Sequence, residues 1–299
     1  MTPNSYIITK KRGKDKCHMQ RKELERVVVI TAFPDFVKDK IEQMKCRMNG
    51  VLSVTYLEDK QFQKDLLPDV QHTLFFADSR ETEDILQKVH AYVVGYEHER
   101  NQGVPLSATE YVFSDIEDLS ADDIFYVWNR VTGQPCDVLE TEHLLVRETT
   151  VEDVDTFYEL YRDSEITEYM EPLFLDPEEE RAYQAMYIRN IYGLYGYGVW
   201  TVIEKESGGI VGRAGVAPRE GCEEPELGFV IGREWQRKGY AYEVCKAILD
   251  YVKTAFSIEQ VIAVVHQDNQ ASIGLCEKLG FAMEDRVLQE NHITFLKDL

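Results

Sequence analysis

The residues with the clearest capacity for chemistry run Glu226-Leu-Gly-Phe-Val-Ile-Gly-Arg-Glu-Trp-Gln-Arg-Lys-Gly-Tyr-Ala241. An apolar strand pattern leads into a short loop containing Gly239, and that loop opens a long helical pattern. Unpaired amides at a helix start, backed by the helix dipole, bind phosphate oxygens. Gly239 and Ala241 keep side chains out of the way, so that main-chain amides can approach a diphosphate closely. Arg237 and Lys238 add positive charge in an acidic chain. An ordinary glycine turn ahead of a helix has the same spacing, and spacing alone leaves both readings open.

Such a loop needs a strand before it and a packed helix after it. Ala241, Val244, Cys245, Ile248, Leu249, Val252 and Phe256 recur on one side of the helix, the stripe by which a helix packs on a sheet. Upstream, 144–147 reads as a strand, and Thr150 with Asp153 has the spacing of a capping box. Val151, Val154, Phe157, Tyr158 and Tyr161 then give one apolar face. A second helix is predicted over 177–192, and strands over 199–204, 210–216 and 227–231, the first two joined by the hairpin signal Ser207-Gly208-Gly209. The stretch 260–266 reads as a buried strand, Asn269 opens a helix that stops at Gly280, and a hairpin from Met283 closes the chain.

The first part of the chain reads differently. Strands are predicted over 27–31, 51–56, 73–77, 92–96 and 110–113, with helices over 36–48 and 82–89 between some of them. Their continuously apolar runs fit parallel strands covered on both faces, which makes a parallel α/β sheet. The fold class is therefore α/β (α+β) in two domains. A basic arm is expected over 1–25, a parallel-sheet domain over 26–131, a polar linker over 132–142 containing Gly133 and Pro135, and a second domain over 143–299.

In Gln236-Arg-Lys-Gly-Tyr-Ala241 the chain resembles the Gln/Arg-x-x-Gly-x-Gly/Ala signature of the GNAT acetyltransferase superfamily. Leu145-Val-Arg-Glu-Thr-Thr-Val-Glu-Asp153 and Asn269-Gln-Ala-Ser-Ile-Gly-Leu-Cys-Glu-Lys-Leu-Gly-Phe281 resemble the branch that includes ribosomal-protein N-terminal acetyltransferases. This resemblance implies transfer of an acetyl group from acetyl-CoA to a primary amine, by direct attack in a ternary complex. Amides of Arg237, Lys238, Gly239, Tyr240 and Ala241, after Gln236, would hold the CoA diphosphate. The strand Phe229, Val230 and Ile231 would pair with the pantetheine arm as an added strand, and an amide near it would stabilise the oxyanion. Asn269 would bond the pantetheine, with Ser272 near the CoA. The acceptor must shed a proton, since an alkylamine titrates near ~10.4, and Glu226 is the candidate general base, directly or through water. Where many members carry a tyrosine acid, this chain has Cys276. Its thiol is a candidate general acid, with a small buried apolar role as the alternative. Asp163, Glu165, Glu168 and Glu171 fall where the family admits its acceptor, either as a cation-attracting cluster or as a solvated acidic loop.

More weakly, the first part resembles the core of haloacid dehalogenase-like hydrolases, which implies a Rossmann-like sheet with Thr31 as a phosphate-contacting hydroxyl and Asp78 in a degenerate acidic motif. The nucleophile motif of that family, Asp-x-Asp-x-Thr, has no counterpart in the first 30 residues. The expectation is a non-catalytic domain that binds a ligand or organises a homodimer, with Asp78 as a loop or capping residue rather than a metal ligand. No metal site is expected, because the six cysteines are scattered. The net charge of −21 disfavours nucleic acid and favours cationic amines, small molecules or protein N-termini. Lys10, Lys11, Arg12, Lys14, Lys16, Arg21 and Lys22 oppose that trend, either as an anion-binding arm or as a solvated one. With no apolar run long enough for a membrane span and no secretory signal, a cytoplasmic enzyme is expected. A CoA- or ligand-binding regulatory protein without turnover is the alternative.

Overall fold

A computed structural model describes residues 6–7, 24–59, 69–106, 109 and 111–299. The expected basic arm and Glu110 lie outside the described residues, apart from 6–7 and 24–25 of the arm. Two compact units meet in sequence at Gln134 and Pro135.

The first unit contains β1 (Tyr6–Ile7), β2 (Arg26–Thr31), α1 (Pro34–Met48), β3 (Ser53–Glu58), β4 (Thr73–Ala77), α2 (Arg80–Lys88), β5 (Tyr92–Tyr96), β6 (Tyr111–Phe113) and α3 (Ala121–Thr132). Its six-stranded sheet has the order β1-β6-β5-β4-β2-β3, and each pairing is parallel. Val27 to Ile30 and Leu74 to Ala77 are buried throughout, as their unbroken apolar runs require of strands covered on both faces. The strand expected over 51–56 begins instead at Ser53, because Asn49 and Gly50 both take left-handed conformations and 51–52 are spent in turning away from α1.

The two residues singled out in this unit form a closed polar hub. Asp78 is 2% exposed and accepts hydrogen bonds from the Thr31 hydroxyl and, at 3.1 Å, from the Ala32 amide. His98 Nε2 lies 3.2 Å from the same carboxylate, while its Nδ1 accepts from the Arg100 amide, which places the ring proton on Nε2. Thr31 is thus bonded to a protein carboxylate, and Asp78 is a loop aspartate held by protein donors, the α2 cap being Ser79.

The second unit contains β7 (Asp137–Glu140), β8 (Leu144–Arg147), α4 (Val154–Leu160), α5 (Ser164–Thr167), α6 (Pro177–Tyr187), α7 (Gly193–Tyr195), β9 (Val199–Glu204), β10 (Ile210–Ala217), β11 (Glu226–Ile231), α8 (Tyr240–Phe256), β12 (Gln260–His266), α9 (Gln270–Lys278), β13 (Ala282–Glu284) and β14 (His292–Asp298). The expected linker is corrected here. Asp137–Glu140 is the edge strand of an eight-stranded sheet, antiparallel to β8, so chain continuity alone had disguised it as a connection. The helix predicted over 177–192 is α6 prolonged by a π-helical turn, Ile188–Tyr192, that swings the Tyr192 hydroxyl under the sheet to the Val199 carbonyl at 2.5 Å. The capping box of Thr150 and Asp153 forms as expected.

Sheet order is β13-β14-β12-β11-β10-β9-β8-β7. One face packs on α8 through Val244, Cys245, Ile248, Leu249 and Val252, all 3% exposed or less. Each such aliphatic side chain contributes roughly 1.5–3 kcal/mol by leaving water. Leu227 on β11 and Val261, Ala263 and Val265 on β12 join that core, so by strand alternation Glu226, Gly228 and Val230 point to the opposite face.

Candidate active site

β11 pairs fully with β10, from Glu226 opposite Ala217 to Ile231 opposite Gly212. Its other edge behaves differently. β11 and β12 run parallel and share a single pair, Glu226 with Ile262, reinforced by the Ile262 amide on the Pro225 carbonyl at 3.0 Å. Beyond it the strands part, leaving the β11 edge from Leu227 to Ile231 without a neighbouring strand among the described residues. A cavity of about 840 Å³ fills the wedge, lined by β11, the end of β12, the starts of α8 and α9, and residues of the α5 region.

At the wide end stands the start of α8. Gly239 has φ +88 and serves as its N-cap, and no side chain caps the first turn. By contrast α9 is capped by Asn269, whose Oδ1 accepts from the Ser272 amide at 3.1 Å. The uncapped amides of Gly239, Tyr240 and Ala241 border the cavity, the arrangement that holds an anion. A Cβ on Gly239 would meet nothing within 4 Å, so its glycine answers to backbone conformation and to space on the ligand side.

A model of the acetyltransferase (GNAT) domain matches residues 143–282. The uncharacterized N-acetyltransferase p20 of Bacillus licheniformis is 30% identical over 152 residues, covering 50% of this chain and 84% of that protein. The spermidine N(1)-acetyltransferase of Escherichia coli K12 is 31% identical over 65 residues, covering 22% of this chain and 35% of that protein. Among solved structures, the GNAT-family acetyltransferase of Bacillus anthracis superposes with a TM-score of 0.45 at 23% identity, covering 54% of this chain and 97% of that one. The chain belongs to the GNAT acetyltransferases. It is an acetyl-CoA-dependent N-acetyltransferase, and acetyl-CoA is its co-substrate.

Within the GNAT unit, Phe229, Val230 and Ile231 line the wedge, as do Gln236, Arg237, Gly239, Tyr240, Ala241, Asn269 and Ser272. Gln236 is turned inward, donating through Nε2 to the Ile231 carbonyl at 3.0 Å, so its side chain ties the loop to the end of β11. Because Asn269 spends only its Oδ1 on the α9 cap, its Nδ2 donors remain for a ligand. Arg237, at φ +61, has no carboxylate partner among the described residues and borders the cavity. Lys238 departs from expectation: its ammonium lies 3.5 Å from Glu204, and it is not part of the lining. Of these two basic residues, only Arg237 borders the cavity.

Glu226 lines the cavity at the narrow end, where the strands still pair. Its Oε2 accepts from Arg219 at 2.5 Å, and Arg219 is itself bonded to Gln289 at 3.2 Å. Of the acidic residues expected on the acceptor side, Asp163 and Glu165 lie 3.0 and 2.7 Å from Arg233. Glu165 and Glu168 line the cavity, whereas Asp163 and Glu171 do not. The Glu165 amide, and after it the Arg233 guanidinium, holds the Asp163 carboxyl below its usual range. Two residues that sequence reasoning passed over also stand in the wedge: Gly228, and His266 stacked on Tyr169 at 5.1 Å between centroids. Gly228 was signalled only as the second residue after the candidate base, on a strand whose other members all carry bulky side chains.

Cys276 takes the buried apolar role and not that of a general acid. It is fully buried in the core beneath the sheet and does not line the cavity. Burial, with the nearby Glu277 charge second, pushes its thiol up to about 12. The helical period explains the outcome: Ser272, Leu275 and Lys278 face the cavity, while Cys276 and Leu279 share the opposite, buried side. Cys276→Ala is expected to leave turnover within about twofold and to cost on the order of 1 kcal/mol of stability. A hundredfold fall in kcat with an unchanged melting temperature would restore the thiol to the chemistry.

Proposed function

We propose that the GNAT unit transfers the acetyl group directly to a primary amine held at the narrow end of the wedge. The observation that carries this reading is the parting of β11 and β12 after one pair, with an uncapped helix start at the far end of the same opening. The diphosphate would lie on the amides of Arg237 to Ala241, and the pantetheine arm would add to the free edge of β11 as a strand. This brings the thioester toward Gly228, which lines the cavity and at which an added Cβ would meet only Val199 Cγ2, at 3.9 Å. Amides on that free edge are available to polarise the thioester carbonyl.

No cysteine among the described residues lines the cavity, which favours attack by the amine itself over an acyl-enzyme. The amine nitrogen bonds to the acetyl carbon, the C–S bond breaks, and the CoA sulfur leaves as a thiolate that takes up a proton. Glu226 stands at the narrow end with its Oε2 already occupied by Arg219. It serves best by orienting the incoming ammonium or a water that carries off the proton through its other oxygen. Glu226→Gln is expected to lower kcat on the order of 10²-fold while acetyl-CoA affinity stays within twofold. Equal losses in kcat and affinity would place Glu226 in folding or binding instead.

The acceptor is an amine of small-molecule or protein N-terminal type. Glu168 and Asp268 on the wall favour a positively charged one. Release of free CoA thiol, followed over spermidine, short peptides with free N-termini and simple monoamines, tests the proposal. Turnover on one class identifies the acceptor. Stabilisation by acetyl-CoA without thiol release from any of them would leave a binding protein rather than a transferase.

A further inference from the structure

We infer that Glu204, at the end of β9 and outside the cavity lining, is the positioning residue of the diphosphate cradle, because its single carboxylate grips the side chains on both sides of Gly239. This assignment rests on the cradle reading above. Glu204 Oε1 accepts from the Tyr240 hydroxyl at 2.6 Å and lies 3.5 Å from the Lys238 ammonium. Its Oε2 accepts from the Ser207 hydroxyl at 2.8 Å. Both Glu204 and Tyr240 are 8% exposed, and the Lys238 ammonium sits 5.6 Å from the centroid of the Tyr240 ring. Residues 238 and 240 are therefore fixed to one point while the glycine between them carries the left-handed turn.

Glycine alone does not hold a conformation, since without a Cβ it visits both signs of φ. A loop free to flip would lose ordering entropy each time it bound a diphosphate, and anchoring both neighbours removes much of that cost. The hydrogen bond from Tyr240, followed by that from Ser207, draws the Glu204 carboxyl below its usual range. The same bond, ahead of burial, pushes the Tyr240 phenol up to about 12. Donor and acceptor thus keep their roles across the neutral range. A carboxylate beside an anion site would ordinarily repel the ligand, but Lys238 offsets it locally and leaves the Arg237 charge facing the cavity. A second grip reinforces the first: Glu243 holds the His143 amide at 2.9 Å and its Nδ1 at 3.0 Å, and its own amide closes on the Gly239 carbonyl at 3.0 Å.

The test compares two ligands by calorimetry, acetyl-CoA and S-acetylpantetheine, which lacks the diphosphate. Tyr240→Phe and Glu204→Ala are each expected to weaken acetyl-CoA about tenfold and to leave S-acetylpantetheine within twofold of the wild-type protein. Glu204→Gln, which can still accept the phenol bond, is expected to lose less than Glu204→Ala. Equal weakening of both ligands would show general damage to the unit and overturn the assignment, as would an unchanged acetyl-CoA affinity in Tyr240→Phe. Should wild-type protein bind acetyl-CoA no better than S-acetylpantetheine, the cradle itself would fall, an outcome separable from failure of the Glu204 variants alone.

Discussion

Gly239→Val is expected to reduce acetyl-CoA affinity at least about a hundredfold, the loss of two charge-assisted hydrogen bonds from amides to phosphate. Two effects act together. A residue with a Cβ pays about 1–2 kcal/mol to hold φ near +88, and a β-branched one more, so the loop would relax and redirect its amides. If the loop held, the new methyls would stand in the space proposed for the phosphates, because the glycine has no protein atom within 4 Å of its would-be Cβ. For the same reason the folded unit loses no packing, and its melting temperature should fall by only a few degrees, roughly 2–4 °C per kcal/mol for a unit of this size. Gly239→Ala should fall between the two. Calorimetry with acetyl-CoA decides the matter, and unchanged affinity in Gly239→Val would remove the diphosphate from this loop.

Gly228→Val is expected to abolish acetyl transfer, with kcat/KM lower by at least about a hundredfold, and to leave stability unchanged or slightly raised. On its own sheet face a Cβ at 228 would meet only Val199 Cγ2, at 3.9 Å. Valine suits an extended strand and narrows the unfolded ensemble. The neighbouring Gly215, opposite Gly228 in the β10–β11 ladder, behaves in the contrary way: a Cβ there would come within 2.0 Å of the Gly198 carbonyl. Gly215→Ala should therefore damage the fold, whereas Gly228→Val should damage only the reaction. Thiol release, measured with the best acceptor from the amine panel, together with the melting temperature, separates these cases. Normal turnover in Gly228→Val would move the reacting thioester off this stretch of β11.

The carboxylate at the narrow end shows what a one-dimensional pattern leaves open. Glu226 lies in a run with Glu220, Glu223 and Glu224, so a candidate base and a surface carboxylate read alike in the sequence. In the folded unit these acids differ: Glu224 takes both terminal nitrogens of Arg286 at 3.1 and 3.2 Å, which holds its carboxyl below the usual range. Glu226 alone among them borders the cavity, and its partner Arg219 is anchored from the β13–β14 connection, remote in sequence.

Features set by neighbours along the chain were already present in the sequence. The buried strands 73–77, 92–96 and 260–266, the apolar stripe of α8, the Thr150–Asp153 capping box and the glycine-containing loop that opens α8 are of this kind, because period, propensity and backbone conformation act over a few residues. The tertiary structure alone decided the rest. It parted β11 from β12 after one pair, made a strand of 137–140, turned Lys238 and Tyr240 onto Glu204, and buried Cys276 while Leu275 faced the cavity. Each of these depends on which distant strand or surface a segment meets, and at Cys276 a rotation of one helical position would reverse the outcome.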